Sequence, residues 1–167
     1  MVARPAEAVA SAGDSVLIPR AEPPRAARPR IVAAVRSLPD DAGVLVEALD
    51  AAAHLNGQLV VLHGVPVSFG ERSVGRAEAV ERGHDVLRDA RALVEGADTG
   101  VAVEVALVRA WPHEIVGERL DADLLVLGGP RGGSSDRLGL VAGSAVRHAP
   151  CAVLLAPRPA FPMAAPW

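Results

Sequence analysis

A chain of 167 residues, half of them hydrophobic, is long enough for one domain with a real core. With no Lys or Tyr and only two Phe and two Trp, that core must be built from Val, Leu, Ala and Ile. A net charge of −3, acidic and basic residues intermixed, excludes an electrostatic footprint for nucleic acid. The lone Cys151 excludes an intrachain disulfide and a cysteine-based metal centre.

No stretch approaches the ~18 consecutive apolar residues of a membrane span. Glu7, Asp14, Arg20 and Glu22 break up any signal-peptide core near the start. Residues 1–27, rich in Ala, Pro and Arg, are therefore expected to form a disordered leader, and the protein to be cytoplasmic. Glu22-Pro23-Pro24-Arg25 cannot hold a regular element, because neither proline offers a backbone donor.

Order is predicted to begin after Pro29. Residues 31–35, Ile-Val-Ala-Ala-Val, form a short apolar run suited to a strand covered on both faces. Asp40 and Asp41 can cap a first helix on which Val44, Leu45, Ala48, Leu49, Ala52 and Leu55 recur at helical spacing until Asn56-Gly57. A second strand follows at 58–64, then a Pro/Gly loop over 65–70 and a long helix over 73–95 whose face carries Val80, Leu87, Ala90 and Val94. A third strand is read at 101–108, and Trp111-Pro112 starts a helix ending near Leu120. Leu124-Leu125-Val126-Leu127 is a buried fourth strand, 140–148 a short helix and 152–155 a fifth strand. Residues 158–167, with three prolines, are read as a flexible tail.

Strict alternation of strands and helices argues for an α/β fold, a parallel sheet covered on both faces. Ligands of such sheets bind beyond the carboxyl ends of the strands, where strand order reverses. The loop after the fourth strand is the one with chemical content. Gly128-Gly129-Pro130-Arg131-Gly132-Gly133 and then Ser134 and Ser135 lead into a helix. Glycines let backbone donors approach an anion, and a helix N-terminus adds partial positive charge. His63 has no second His or carboxylate at ligand spacing and is read as structural, while His113, which opens a helix, and His148, which closes one, are read as capping residues. Cys151 is read as a small buried apolar residue.

Three stretches carry a resemblance: Asp121-Ala-Asp-Leu-Leu-Val-Leu-Gly128 with the glycine loop, Val146-Arg-His-Ala-Pro-Cys151-Ala-Val-Leu-Leu155, and Arg30-Ile-Val-Ala-Ala-Val35 with Leu59-Val-Val-Leu-His63-Gly-Val65-Pro66. Together they resemble the universal stress protein family over residues 28–157. The resemblance implies a three-layer, Rossmann-like sandwich of the adenine nucleotide alpha-hydrolase type. Its sheet has five parallel strands in the order 3-2-1-4-5, and copies pair as a homodimer through the last strand. It further implies a stress-response domain, not an enzyme, that in many members binds ATP with Mg²⁺ at the switch point.

ATP-binding members carry Gly, two residues, Gly, nine residues, Gly, then Ser or Thr. Gly129 and Gly132 match the first part, and Gly143-Ser144 follows after ten residues. Counting back from His148 selects Gly139 instead, with Leu140 in the hydroxyl position. An Asp near adenine and ribose is usual at the end of the first strand, where this chain has Arg36. The nucleotide contacts implied are Val35, Arg36, Gly128, Gly129, Arg131, Gly132, Gly139, Gly143 and Ser144. The alternative is a dimeric interaction module whose glycine loop is only structural.

Overall fold

The computed structural model describes residues 15–20, 28–67, 73–131 and 138–158. In chain order its elements are β1 (Val16–Ile18), β2 (Arg30–Ala34), α1 (Ala42–His54), β3 (Gln58–Val65), α2 (Ser73–Glu95), β4 (Ala102–Arg109), α3 (Pro112–Ile115), β5 (Leu124–Arg131), α4 (Leu140–His148) and β6 (Ala152–Arg158). The sheet order is β1-β6-β5-β2-β3-β4. All pairings are parallel except that of β1 with β6. Without β1, this is the expected five-stranded order.

Apolar side chains on both faces of the central strands explain the three layers. On one face Ile31, Ala33, Leu59, Val61 and Val126 meet Val44, Leu45, Ala48 and Leu49 of α1 and Leu87, Ala90 and Val94 of α2. On the other, Val32, Val60, Leu125, Leu127, Val153 and Leu155 pack against Val116 and against Ala142 and Ala145 of α4. Each element runs close to its sequence-predicted position. α1 stops at His54, and Asn56 then adopts the left-handed conformation at φ 51 that Asn tolerates.

The structure differs from the sequence reading in four places. Part of the expected leader is ordered: Val16, Leu17 and Ile18 pair antiparallel with Leu155, Leu154 and Val153. Val16 and Ile18 pack against the second core cluster, and burial of these aliphatic side chains favours docking. The β6 edge, expected to join two copies, is therefore covered over 153–155 by the chain's own β1. The helix after Trp111 is a single turn, because Val116 turns into the core at 2% exposure and the poor helix former Gly117 follows. The last strand runs on to Arg158, past the expected end at 155. Residues 1–14, 21–27 and 159–167 lie outside the described residues. Among the described residues no helix is long and apolar enough to cross a membrane.

Candidate functional site

After β2 and β3 the chain crosses to one face of the sheet through α1 and α2; after β4 and β5 it crosses to the other through α3 and α4. β2 and β5 are neighbours, so strand order reverses between their carboxyl ends. A cavity of about 310 Å³ opens there. Its floor is Ala34, Val35, Leu62 and Leu127, one wall is Pro112, Ile115 and Val116, and the rim includes Gly128, Gly129 and Gly139–Ala142. Among the described residues, Arg36 and Arg158 are the charged ones lining it. The size is at the low end of the ~300–1,000 Å³ usual for small-molecule sites, and an apolar lining with few polar groups is typical of them.

The two guanidiniums differ. Arg36 is exposed, with no partner for its side chain among the described residues. Arg158 is committed: its Nε donates to Asp41 Oδ1 at 2.8 Å and its Nη2 lies 2.5 Å from the same oxygen. Asp41, 1% exposed, also accepts through Oδ2 from the backbone N–H groups of Arg36 at 2.6 Å and Ser37 at 3.2 Å. Asp41 is thus the N-cap residue of α1 without a side-chain cap bond; its carboxylate turns back to the loop and across to β6. The ionised carboxylate can accept all four contacts, which offsets the cost of burying it.

Gly128 makes this crossing feasible. A Cβ built there would stand 1.9 Å from Arg158 Nε, 2.4 Å from Cζ and 2.7 Å from Nη2. The guanidinium occupies the volume that a side chain at 128 would fill. Beyond Gly128 the β5–β6 register shifts before Arg131 pairs with Arg158, placing Gly129 and Pro130 in a bulge, where the missing donor of Pro130 breaks no ladder bond.

The remaining sequence-predicted residues separate into three groups. Val35, Arg36, Gly128, Gly129 and Gly139 all border the cavity. Gly139 is the N-cap of α4, so the helix begins where the count from His148 placed it. Gly143 is buried inside α4, donating its N–H to Gly139 O at 2.8 Å, and Ser144 faces away, its Oγ–H donating to His113 O at 3.1 Å. These two do not border the cavity. The backbone of Arg131 ends β5, and Gly132, Gly133, Ser134 and Ser135 lie outside the described residues.

Sequence reasoning missed Arg158 and Asp41 as site residues. Nothing local signals a pair 117 positions apart. His63 is a tie between strands, its Nδ1 3.1 Å from Val35 O. The ring of Trp111 stacks with that of His113, centroids 6.5 Å apart. Burial pushes the Cys151 thiol up to about 11, against a smaller lowering by a hydrogen bond from the backbone of Leu125. Such a thiol is a poor nucleophile.

The comparisons agree with this architecture. The family model described as the universal stress protein family matches residues 28–157. Similar solved structures include a universal stress protein in complex with cAMP, at 21% identity and TM-score 0.62, with 78% of this chain and 97% of that one covered. Another is the universal stress protein from Archaeoglobus fulgidus in complex with dAMP, at 21% identity and TM-score 0.58, covering 75% and 94%. A protein of the same family from Burkholderia pseudomallei is 28% identical with TM-score 0.58, covering 79% and 98%. No curated protein matches the chain. With the strand order and switch-point cavity already in place, the match over residues 28–157 means that the chain belongs to the universal stress protein family.

Proposed function

We propose that this chain is a cytoplasmic, non-catalytic domain that binds an adenine nucleotide in the switch-point cavity, in the service of a stress response. The observation that carries the reading is the cavity itself: an apolar floor and wall for a base, with two guanidiniums and the start of α4 at the rim. The N–H groups of the first turn of α4 lack intrahelical acceptors and, with the helix dipole, favour an anion there. Val35, Leu127 and Ile115 would enclose the base, while Arg36 is free to meet a phosphate. Two similar proteins were solved with cAMP and dAMP, which supports adenine as the base. ATP is the form the family resemblance implies. No carboxylate is among the described residues lining the cavity, so Mg²⁺ would enter on the phosphates.

Arg36 also shapes the preference. A guanidinium cannot accept a hydrogen bond from a ribose hydroxyl as the usual Asp does, so recognition rests on base and phosphate. The decisive experiment analyses small molecules released on denaturing the purified protein, beside thermal-shift titrations with ATP, with and without Mg²⁺, AMP and cAMP. Binding stabilises the fold by about 2.7 kcal/mol at a ligand concentration of 100 Kd. Released nucleotide and a concentration-dependent rise in Tm are expected. No nucleotide and no shift with any of the three at millimolar concentration would refute the reading. That result would favour the alternative of a non-nucleotide interaction module, which the exchange of Asp for Arg36 and the use of Gly128 to seat Arg158 support.

A further inference from the structure

β6 is an apolar strand, Ala-Val-Leu-Leu-Ala over 152–156, and its outer edge would present unpaired backbone groups if β1 were absent. An edge of that kind is a template for another strand. Here β1 fills it antiparallel, with Val16 opposite Leu155, Leu17 opposite Leu154 and Ile18 opposite Val153. Now place a second β6 antiparallel on the same edge, centred on Leu154. Its Val153, Leu154 and Leu155 would stand where Val16, Leu17 and Ile18 stand. The sequences Val-Leu-Ile and Val-Leu-Leu agree at two positions and differ by one aliphatic isomer at the third. In that register β1 matches the strand a second copy would offer. Pairing about a two-fold axis is self-complementary, as a C₂ interface requires.

β1 is also fastened from its far end. The Nε of Arg20 donates to Ala149 O at 3.3 Å, and its Nη2 donates to Val146 O, two carbonyls at the end of α4. A cation there satisfies orphan acceptors and complements the helix dipole. Yet the strand is only three residues long and Leu17 is 57% exposed, so a longer competing strand would bury more.

We propose that β1 is an internal mimic of a second copy's β6, which keeps the chain monomeric by occupying the edge through which two copies would otherwise pair. Its release converts the chain into a dimer joined β6 to β6. The proposal does not depend on what the cavity binds.

The 167-residue chain is expected to run as a monomer in size-exclusion chromatography with light scattering. Val16→Asp/Ile18→Asp, which sets charges where two aliphatic side chains pack, should run as a dimer. A wild-type dimer, or a folded variant that stays monomeric, would overturn the proposal. Should that variant fail to fold, the milder Arg20→Ala carries the test in a Leu154→Cys background. The two-fold register sets Leu154→Cys against its own copy, so mild oxidation should give a covalent dimer whose yield rises several-fold with Arg20→Ala. Adding Leu17→Cys should divert the bond into a monomer, because positions 17 and 154 face each other within one chain. An unchanged yield with Arg20→Ala would overturn the proposal, as would a covalent dimer that persists with Leu17→Cys present.

Discussion

Replacing Asp41 with alanine should be among the costliest small substitutions at the switch point. The substitution strands the Arg158 guanidinium, whose side chain is 21% exposed, and removes the acceptor for the N–H groups of Arg36 and Ser37. Breaking a buried pair by deleting one partner costs about 3–5 kcal/mol; because Arg158 can swing partly into water, the low end, about 3 kcal/mol, is expected. For a chain of this length each kcal/mol lowers Tm by about 2–4 °C, so a drop of roughly 6–12 °C should be seen. Urea unfolding followed by circular dichroism measures it, with an unchanged m-value showing that only stability moved. The same pair can be broken from a third residue. Gly128→Ala puts a Cβ 1.9 Å from Arg158 Nε, so the guanidinium must leave Asp41. Its cost should resemble that of Asp41→Ala and should largely vanish in an Arg158→Ala background, a coupling of about 2 kcal/mol or more. Full additivity of Gly128→Ala with Arg158→Ala would refute the account of Gly128. Asp41→Ala within about 1 kcal/mol of wild type would refute the account of the pair.

Three further outcomes are expected. Arg36→Glu should weaken nucleotide binding at least ten-fold in calorimetric titration with ATP while leaving Tm of the free protein within a few degrees, because the side chain is exposed; equal affinity would place the phosphates elsewhere. A Cβ at Gly83 in α2 would stand 2.6 Å from Leu107 Cδ1 and 3.0 Å from the His63 ring, so Gly83→Ala should be near neutral, about 1 kcal/mol of helix propensity offsetting the crowding, whereas Gly83→Val should destabilise by about 1–3 kcal/mol in urea. The Cys151 thiol holds its proton up to about 11 in the folded state against 9.0 as the ordinary value, so its contribution is intact below pH 9 and is lost as pH rises toward 11. Cys151→Ala should therefore flatten the fall in unfolding free energy across that window, and parallel curves for the two proteins would contradict it.

The parallel sheet was legible because each of β2 to β6 is a local apolar run and each of α1, α2 and α4 is bounded by local signals such as Asn56 and Gly139. β1 was not, because Val16-Leu17-Ile18 is too short to carry a period and sits between Ser15 and Pro19 in a stretch whose composition reads as disordered. What orders it is a partner strand near the other end of the chain, and neither segment encodes that pairing by itself. The same physics hid Arg158. A charged residue just past an apolar strand reads as the start of a solvated tail, and only the tertiary arrangement shows that it spans a glycine to reach a buried carboxylate.

From the sequence, Gly128 reads as room for a phosphate; in the structure the room is already filled by the chain's own cation. An anion arriving at the rim therefore meets Arg158 with its charge balanced by Asp41, and Arg36 with no counter-charge among the described residues. Local charge at the cavity then sums to about one positive unit from these three side chains, where an Asp in place of Arg36 would leave about one negative unit. The exchange that removes the usual ribose acceptor also adds a cation at the rim, where a phosphate is the group it can pair with. For the nucleotide proposed to bind here, recognition would rest on the phosphate more than on the sugar, and Arg36→Glu, by reversing that charge, is the substitution that tests the proposal most directly.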